Sequence, residues 1–382
     1  MCDIINKYFG FINNHFIYIK FKLEGAIMKQ NETTRKLLIS YYQTHKKLQI
    51  QDIFKFIYQS TFGCEHMISS LEKAIEHITN EYNNIYHENN FNIEPLDGPY
   101  SRVPLSYLNS GLSISTLGKL FFLSSKKESG NTEDLIQKLK IAQELITENL
   151  LPFSLNDFHK SVEEWASENY PAIHHSDIFK KEYQTSYRVI SNTYTKFLPL
   201  FTEIDKHLVN GNVKIAIEGG SASGKTTLSK ILTDIYDCTI FHMDDFFLRP
   251  EQRTPERFAE IGGNIDRERF LSEILQPLNR NETINYRKFN CSTMSIGELV
   301  SVVPKKLIII EGAYSMHPDL RDYYDFSVFL DVSPELQKER ILHRNPGPMA
   351  QRFFEQWIPL EKQYFSEMEI CEKCDLKISI SQ

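Results

Sequence analysis

The sequence predicts an α/β fold, a parallel sheet flanked by helices, preceded by a mostly α-helical N-terminal domain, and three observations carry that prediction. Five short apolar runs, at 213–217, 239–243, 307–310, 327–332 and 376–380, alternate with helical segments, the pattern of a parallel sheet covered on both faces. A glycine-rich signature, "IAIEGGSASGKTTLS", follows directly on the first run. Before it, from about residue 32 to 205, apolar residues recur at helical spacing instead. The expected organisation is therefore an extension over 1–27, a helical domain over 28–207 and an α/β domain over 208–382.

The extension comes first. "LEGAIM" places Leu23-Glu24-Gly25, encodable by a purine-rich ribosome-binding type of sequence, just before Met28, so translation is expected to start at Met28. In the helical domain, "DIFKFIYQSTFGCEHMISSLEKAIEHITNEY" carries Ile53, Phe56 and Ile57, then Met67, Leu71, Ile75 and Ile78, with a break at Gly63. "PLDGPYSRVP" reads as a loop, and "TEDLIQKLKIAQELITENL" as an amphipathic helix capped at Thr132 and stopped by Pro152. "HLVNGN" is the linker to the α/β domain. Cys64, His66, His174 and His175 are residue types that bind metal, but their spacing fits no metal motif, and satisfied histidines at helix ends are the commoner case.

Composition narrows the function. At 382 residues the chain is long enough for two cores, and 24% charged with 41% hydrophobic residues is ordinary for a water-soluble protein. A net charge of -7 gives no electrostatic footprint for nucleic acid or an anionic membrane, and no apolar run reaches the length of a span. A small-molecule partner fits better. Six scattered cysteines point to reduced thiols in a cytoplasmic protein, and Cys371 with Cys374 is one half of a zinc site with no second half nearby. Self-association into a homo-oligomer is left open.

The glycine-rich signature has the form of a phosphate-binding loop, Gly219, Gly220, Ser221, Ala222, Ser223, Gly224, Lys225, Thr226, Thr227, with a helix expected from about Gly224. In that setting backbone N–H groups and the helix dipole face the phosphates, Lys225 neutralises them and the Thr226 hydroxyl ligates magnesium. Two acidic elements follow at strand ends. "FHMDDFF" brings Asp244 or Asp245 to the carboxyl edge of the sheet, where open α/β sheets bind ligands, and "LIIIEG" brings Glu311 to the same edge. Magnesium takes hard oxygen ligands, which makes Thr226 and Glu311 its best candidates. "QKERILHRNPGPMAQRFF" then supplies Arg340 and Arg344 on one helix face, with Arg352 beyond a Pro-Gly-Pro break, cations able to close over a transferred phosphoryl group.

From about 213 to 380 these motifs resemble the uridine kinase and phosphoribulokinase family of P-loop kinases, with nicotinamide riboside kinases close by. The resemblance implies a P-loop kinase fold, ATP and Mg2+ as cofactors, and transfer of the γ-phosphoryl to a hydroxyl of a nucleoside or riboside. "HMDDFF" is similar to the strand end that supplies the catalytic base, which implies Asp244; strand alternation, sending Asp245 to the opposite face, leads to the same choice. "GGNIDRERF" resembles the segment that holds ribose hydroxyls, implying Asp266, and "INYRKF" resembles the strand near the nucleoside, implying Tyr286. "IIIEG" matches the Glu-Gly of the third strand, "ERILHR" the arginine lid, and "FFEQWIPLEKQYF" the aromatic helix of nicotinamide riboside kinases. The lid is short. "YRKFNCST" stands where uridine kinases read the pyrimidine with His and Arg, so the acceptor is not specified. The resemblance does not reach the helical domain. An alternative class, a nucleotide-driven switch or ATPase with the helical domain as effector, lacks its marks: there is no Asn-Lys-x-Asp, and the acidic strand ends Glu311-Gly312 rather than Asp-Glu.

Overall fold

In the computed structural model of the chain, the described residues are 28, 30–64, 68–84, 91–127, 130–184, 186–345 and 347–381. The expected extension over 1–27, and Met67 and His66 with it, lie outside them. The chain divides into two compact units, residues 1–196 and 197–382.

The first unit is mostly helical. Its helices include 30–44, Ile50–Phe62, Leu71–Asn84, Ile114–Ser124, Thr132–Thr147 and Leu155–Ser167. The break at Gly63 is where expected. The helix beginning at Thr132 is capped one residue earlier than expected, because the Asn131 side chain accepts the Asp134 N–H. A larger difference lies in "PLDGPYSRVP". Part of it is a strand, β2 (Tyr100–Pro104), at the centre of an antiparallel sheet with β1 (Glu94–Pro95) on one side and β3 (Tyr187–Ser191) on the other. The strand is hidden in sequence because both its faces are covered and one inward residue is an arginine. Arg102 is 1% exposed. Its guanidinium donates to Gln59 Oε1 at 2.9 Å and Glu94 Oε2 at 3.0 Å, the pairing that makes a buried cation tolerable.

The histidine and cysteine of this unit are bonded into its core. His175 lies between Asp52 Oδ1 at 2.9 Å and the Tyr187 hydroxyl at 2.7 Å. Burial lowers its pKa to about 4, against the pull of Asp52, so the ring is neutral. The Cys64 thiol, pushed up to about 12 by burial, donates to the Val189 carbonyl. Among the described residues no group of three or more His, Cys, Asp or Glu is placed to hold a metal. No described helix is long and apolar enough to cross a membrane.

The second unit is built on five parallel strands: β4 (Val213–Gly219), β5 (Cys238–His242), β8 (Leu307–Glu311), β9 (Phe326–Val332) and β10 (Leu376–Ile380). Their order is β10-β9-β4-β8-β5, and a hairpin of β6 (Ile284–Asn290) and β7 (Ser295–Val302) stands apart from them. β4 and β8 are buried along nearly their whole length, which is why both read as continuous apolar runs rather than alternating ones. From β4 the chain first builds the β8–β5 side and then returns to build β9 and β10. The strand order therefore switches direction at β4, whose carboxyl end is where open α/β sheets bind ligands. One difference from expectation matters for the site. The second strand ends at His242, not at Met243, and Met243–Phe246 forms a 3₁₀ turn.

Candidate active site

The loop after β4 is set by backbone geometry that only certain residues reach. Gly219 has φ of 148°, and a Cβ there would lie 2.7 Å from the Leu330 carbonyl oxygen of the neighbouring strand. Gly224, with φ of 105°, is the N-cap of the helix Lys225–Ile235 and brings no side chain to cap it. The first N–H groups of that eleven-residue helix are thus left for another acceptor, the condition for binding a phosphate. Lys225 Nζ folds back on the loop, donating to the carbonyls of Gly219 at 2.8 Å and Gly220 at 3.0 Å. Ser223 Oγ is buried without a hydrogen-bond partner among the described residues. Thr227 is exposed at the start of the helix.

Strand register brings Glu311 beside Thr226. β8 lies between β4 and β5, with Glu311 opposite Ile217 on one side and His242 on the other. The carboxylate of Glu311 accepts from Thr226 Oγ1 at 3.3 Å and meets His242 Nδ1 at 2.6 Å. That bond to Glu311 raises the His242 pKa above its ordinary value, although burial opposes it. The sequence brought Thr226 and Glu311 forward as a pair but passed over His242, whose place beside them follows only from pairing across the sheet.

Asp244 and Asp245 both sit on the turn after β5, so strand alternation does not separate them. Their surroundings do. The Asp244 side chain is exposed on its turn, with protein close around part of it. The loss of bulk water raises its carboxyl above the ordinary range, nearby Lys225 pulls the other way, and Glu311 adds to the rise. Asp245 instead pairs with Lys288 of β6 at 3.1 Å.

The remaining expected residues lie on other elements of the same unit. Asp266 is buried, accepting Gln252 Nε2 at 2.9 Å and capping the short helix Arg267–Phe270 through the Arg269 N–H. Tyr286 is 4% exposed and packs between Phe246, with rings nearly parallel, and Phe241. Arg340 donates to the loop carbonyls of Ala222 at 3.1 Å and Ser223 at 3.4 Å, whereas Arg344 and Arg352 are exposed.

Glu218 was not among the expected residues. It is fully buried directly under the loop, accepting from the N–H groups of Gly219 at 2.9 Å and Met316 at 3.0 Å and from the Tyr364 hydroxyl at 3.1 Å. Burial raises its carboxyl to about 7. The one available signal was a lone acid inside the apolar run "IAIEGG".

Residues 214–352 match the family model described as phosphoribulokinase / uridine kinase family. This segment is a phosphoribulokinase/uridine kinase family domain. Uridine kinase of Chlamydia pneumoniae is 30% identical over 139 residues, which are 34% of this chain and 61% of that one. Uridine kinase of Geobacillus kaustophilus is 29% identical over 143 residues, 35% of this chain and 67% of that one. The chain thus spans less than two thirds of the length of the first of these relatives. A solved structure of a possible uridine kinase from Bacillus stearothermophilus covers 45% of this chain and 94% of its own, at 21% identity and a TM-score of 0.36. The family domain begins at β4, and the first unit lies before it.

Proposed function

We propose that the chain is a kinase that transfers the γ-phosphoryl group of Mg-ATP to a hydroxyl of a nucleoside or related small metabolite. One observation supports this above the others: Asp244 lies in the field of both Lys225 and Glu311, and Glu311 in turn is bonded to Thr226. A base, a phosphate-neutralising cation and hard ligands for magnesium are what phosphoryl transfer requires within one site. The residues also fit the nucleotide. An uncapped helix N-terminus with positive-φ glycines makes a cradle that a Cβ at Gly219 would disrupt, and Thr226 and Glu311 supply oxygen donors of the kind magnesium takes.

In this reading Lys225 leaves the carbonyls of Gly219 and Gly220 for the β- and γ-phosphates. Asp244 accepts the acceptor's hydroxyl proton as that oxygen bonds to the γ-phosphorus and the bond to the bridging oxygen breaks, releasing ADP. Asp266 and Tyr286 back the acceptor side from behind, with the Asp245–Lys288 pair at its edge. The magnesium supplies charge neutralisation between the phosphates. A screen of nucleosides, ribosides and sugars with ATP and magnesium, read as ADP release, tests the proposal. Acceptor-dependent release is expected. Release at the same rate without any acceptor would replace it with an ATPase.

A further inference from the structure

Ser221, at the tip of the phosphate loop, has all three of its polar groups occupied by side chains from elsewhere. Its N–H donates to Glu361 Oε2 at 2.9 Å and its hydroxyl to Glu361 Oε1 at 2.6 Å. Its carbonyl accepts Gln337 Nε2 at 2.8 Å. Gln337 and Arg340 belong to the helix Pro334–Arg344, and Glu361 to the helix Ile358–Glu367. The segment between those helices contributes Ala350 and Phe353 to a small apolar cluster with Ile341 and Ile358, and Ala222 of the loop packs against it.

The loop needs such restraint. Ala222 has φ of 58°, a left-handed conformation that a residue with a Cβ holds only where its neighbours over-determine it. Between Gly219 and Gly224 the backbone has no ladder partner of its own. From the second helix, two residues one turn apart hold the start and the tip of this stretch: Tyr364 holds Glu218, which in turn holds the Gly219 N–H, and Glu361 holds Ser221. Glu361 is 5% exposed, so its bonds are little weakened by water. Burial raises its carboxyl, and Lys225 and the two Ser221 bonds draw it back.

We propose that Glu361 is a positioning residue for the phosphate loop, one that fixes Ser221 so that the N–H groups of Ala222 and of Gly224 onward face a bound phosphate, while those of Ser221 and Ser223 are taken, the latter by the Gly220 carbonyl at 3.1 Å. This rests on the kinase reading above. The carboxylate is suited to the task because it offers two acceptor oxygens on one rigid plane, one for each hydrogen of Ser221. A carboxylate committed in this way has no need to meet the nucleotide itself. Its effect is on where the loop's donors point.

The test is the affinity of the full chain for Mg-ATP, measured by calorimetric titration alongside the thermal midpoint of each variant. Glu361→Ala should weaken binding about ten- to a hundredfold, the scale of losing two charge-assisted hydrogen bonds. Glu361→Gln should recover most of that loss, since its amide oxygen can accept the Ser221 N–H and its amide nitrogen can donate to Ser221 Oγ. Ser221→Ala should weaken binding by itself but add little on top of Glu361→Ala, because the partner is already gone. The proposal is overturned if Glu361→Ala binds like the wild type, if folded Glu361→Gln is as weak as the alanine variant, or if the two alanine losses add in full. Should Glu361→Ala not fold, Ser221→Ala and Glu361→Gln decide: an unchanged affinity in the first, or a full loss in the second, overturns it. A wild-type chain with no affinity for Mg-ATP ends the kinase reading itself, and that result is seen before any variant is compared.

Discussion

At the scale of single residues, Asp244 and Asp245 stand side by side on one turn and differ in their neighbours. Asp244 lies in the field of Lys225 and Glu311, and Asp245 is held by Lys288. Asp244→Asn keeps size and hydrogen bonding but removes basicity. Turnover should fall by about two to four orders of magnitude with little change in ATP affinity. Steady-state kinetics with a titration of ATP checks this, and a collapse in Asp245→Asn with Asp244→Asn near wild type would move the base to Asp245. Glu218 makes a different prediction. Its carboxyl rises from an ordinary 4.5 to about 7 because burial disfavours the charged form. The stability it contributes is therefore complete below about pH 4.5 and lost as the pH climbs through about 7, by on the order of 3 kcal/mol. Thermal midpoints of wild type and Glu218→Gln between pH 5 and 8 should diverge, the wild type falling more steeply. Parallel curves would show that Glu218 does not titrate in this range.

At the scale of elements, the strands of the second unit were legible, with ends correct to within about two residues, because β4, β8 and β9 are buried on both faces and appear as apolar runs, while the edge strands β5 and β10 alternate. The turn after β5 was not. "HMDDFF" has nothing that separates the last strand residue from the first turn residue, and only the pairing of His242 with Glu311 shows where the ladder stops. In the first unit, β2 was missed because Pro and Gly on both sides mimic a loop and Arg102 breaks the alternation. The cap of the helix Thr132–Thr147 was misplaced by one because "NT" offers two good capping residues in succession; Asn131 takes the role, and Thr132 enters the helix. Asn131→Ala should cost about 1 kcal/mol, and Thr132→Ala much less. Chemical denaturation of both variants measures the difference, and equal losses would return the cap to Thr132.

At the scale of the whole molecule, the linker expected at "HLVNGN" and the unit boundary before Phe197 bracket one helix, Leu198–Leu208. Leu200, Phe201 and Ile204 on that helix are fully buried, and Phe201 lies beside Tyr236 of the second unit. A chain of residues 197–382 should fold and bind Mg-ATP by itself, since the loop, Glu311, Asp244 and Glu361 all lie within it. One beginning at Leu208 should be less stable, at roughly 1.5–3 kcal/mol for each large apolar side chain left without its cover. Circular dichroism melts and ATP titration of the two fragments check both statements. A folded 197–382 chain without ATP affinity would mean that the first unit completes the site.

The sequence by itself determined the parallel sheet, the phosphate loop after its first strand, and the candidates Lys225, Thr226, Asp244 and Glu311, because these depend on local pattern: apolar runs, glycines at fixed spacing, and acids at strand ends. Tertiary structure alone decided which groups meet. His242 reaches Glu311 by strand register, Arg340 turns to the loop's carbonyls, and Glu361 lies 140 residues along the chain from the Ser221 it holds. None of these contacts has a local signature. A side chain that bonds across the fold needs only the right length and charge in its own sequence, and the packing of helices against the sheet decides where it ends.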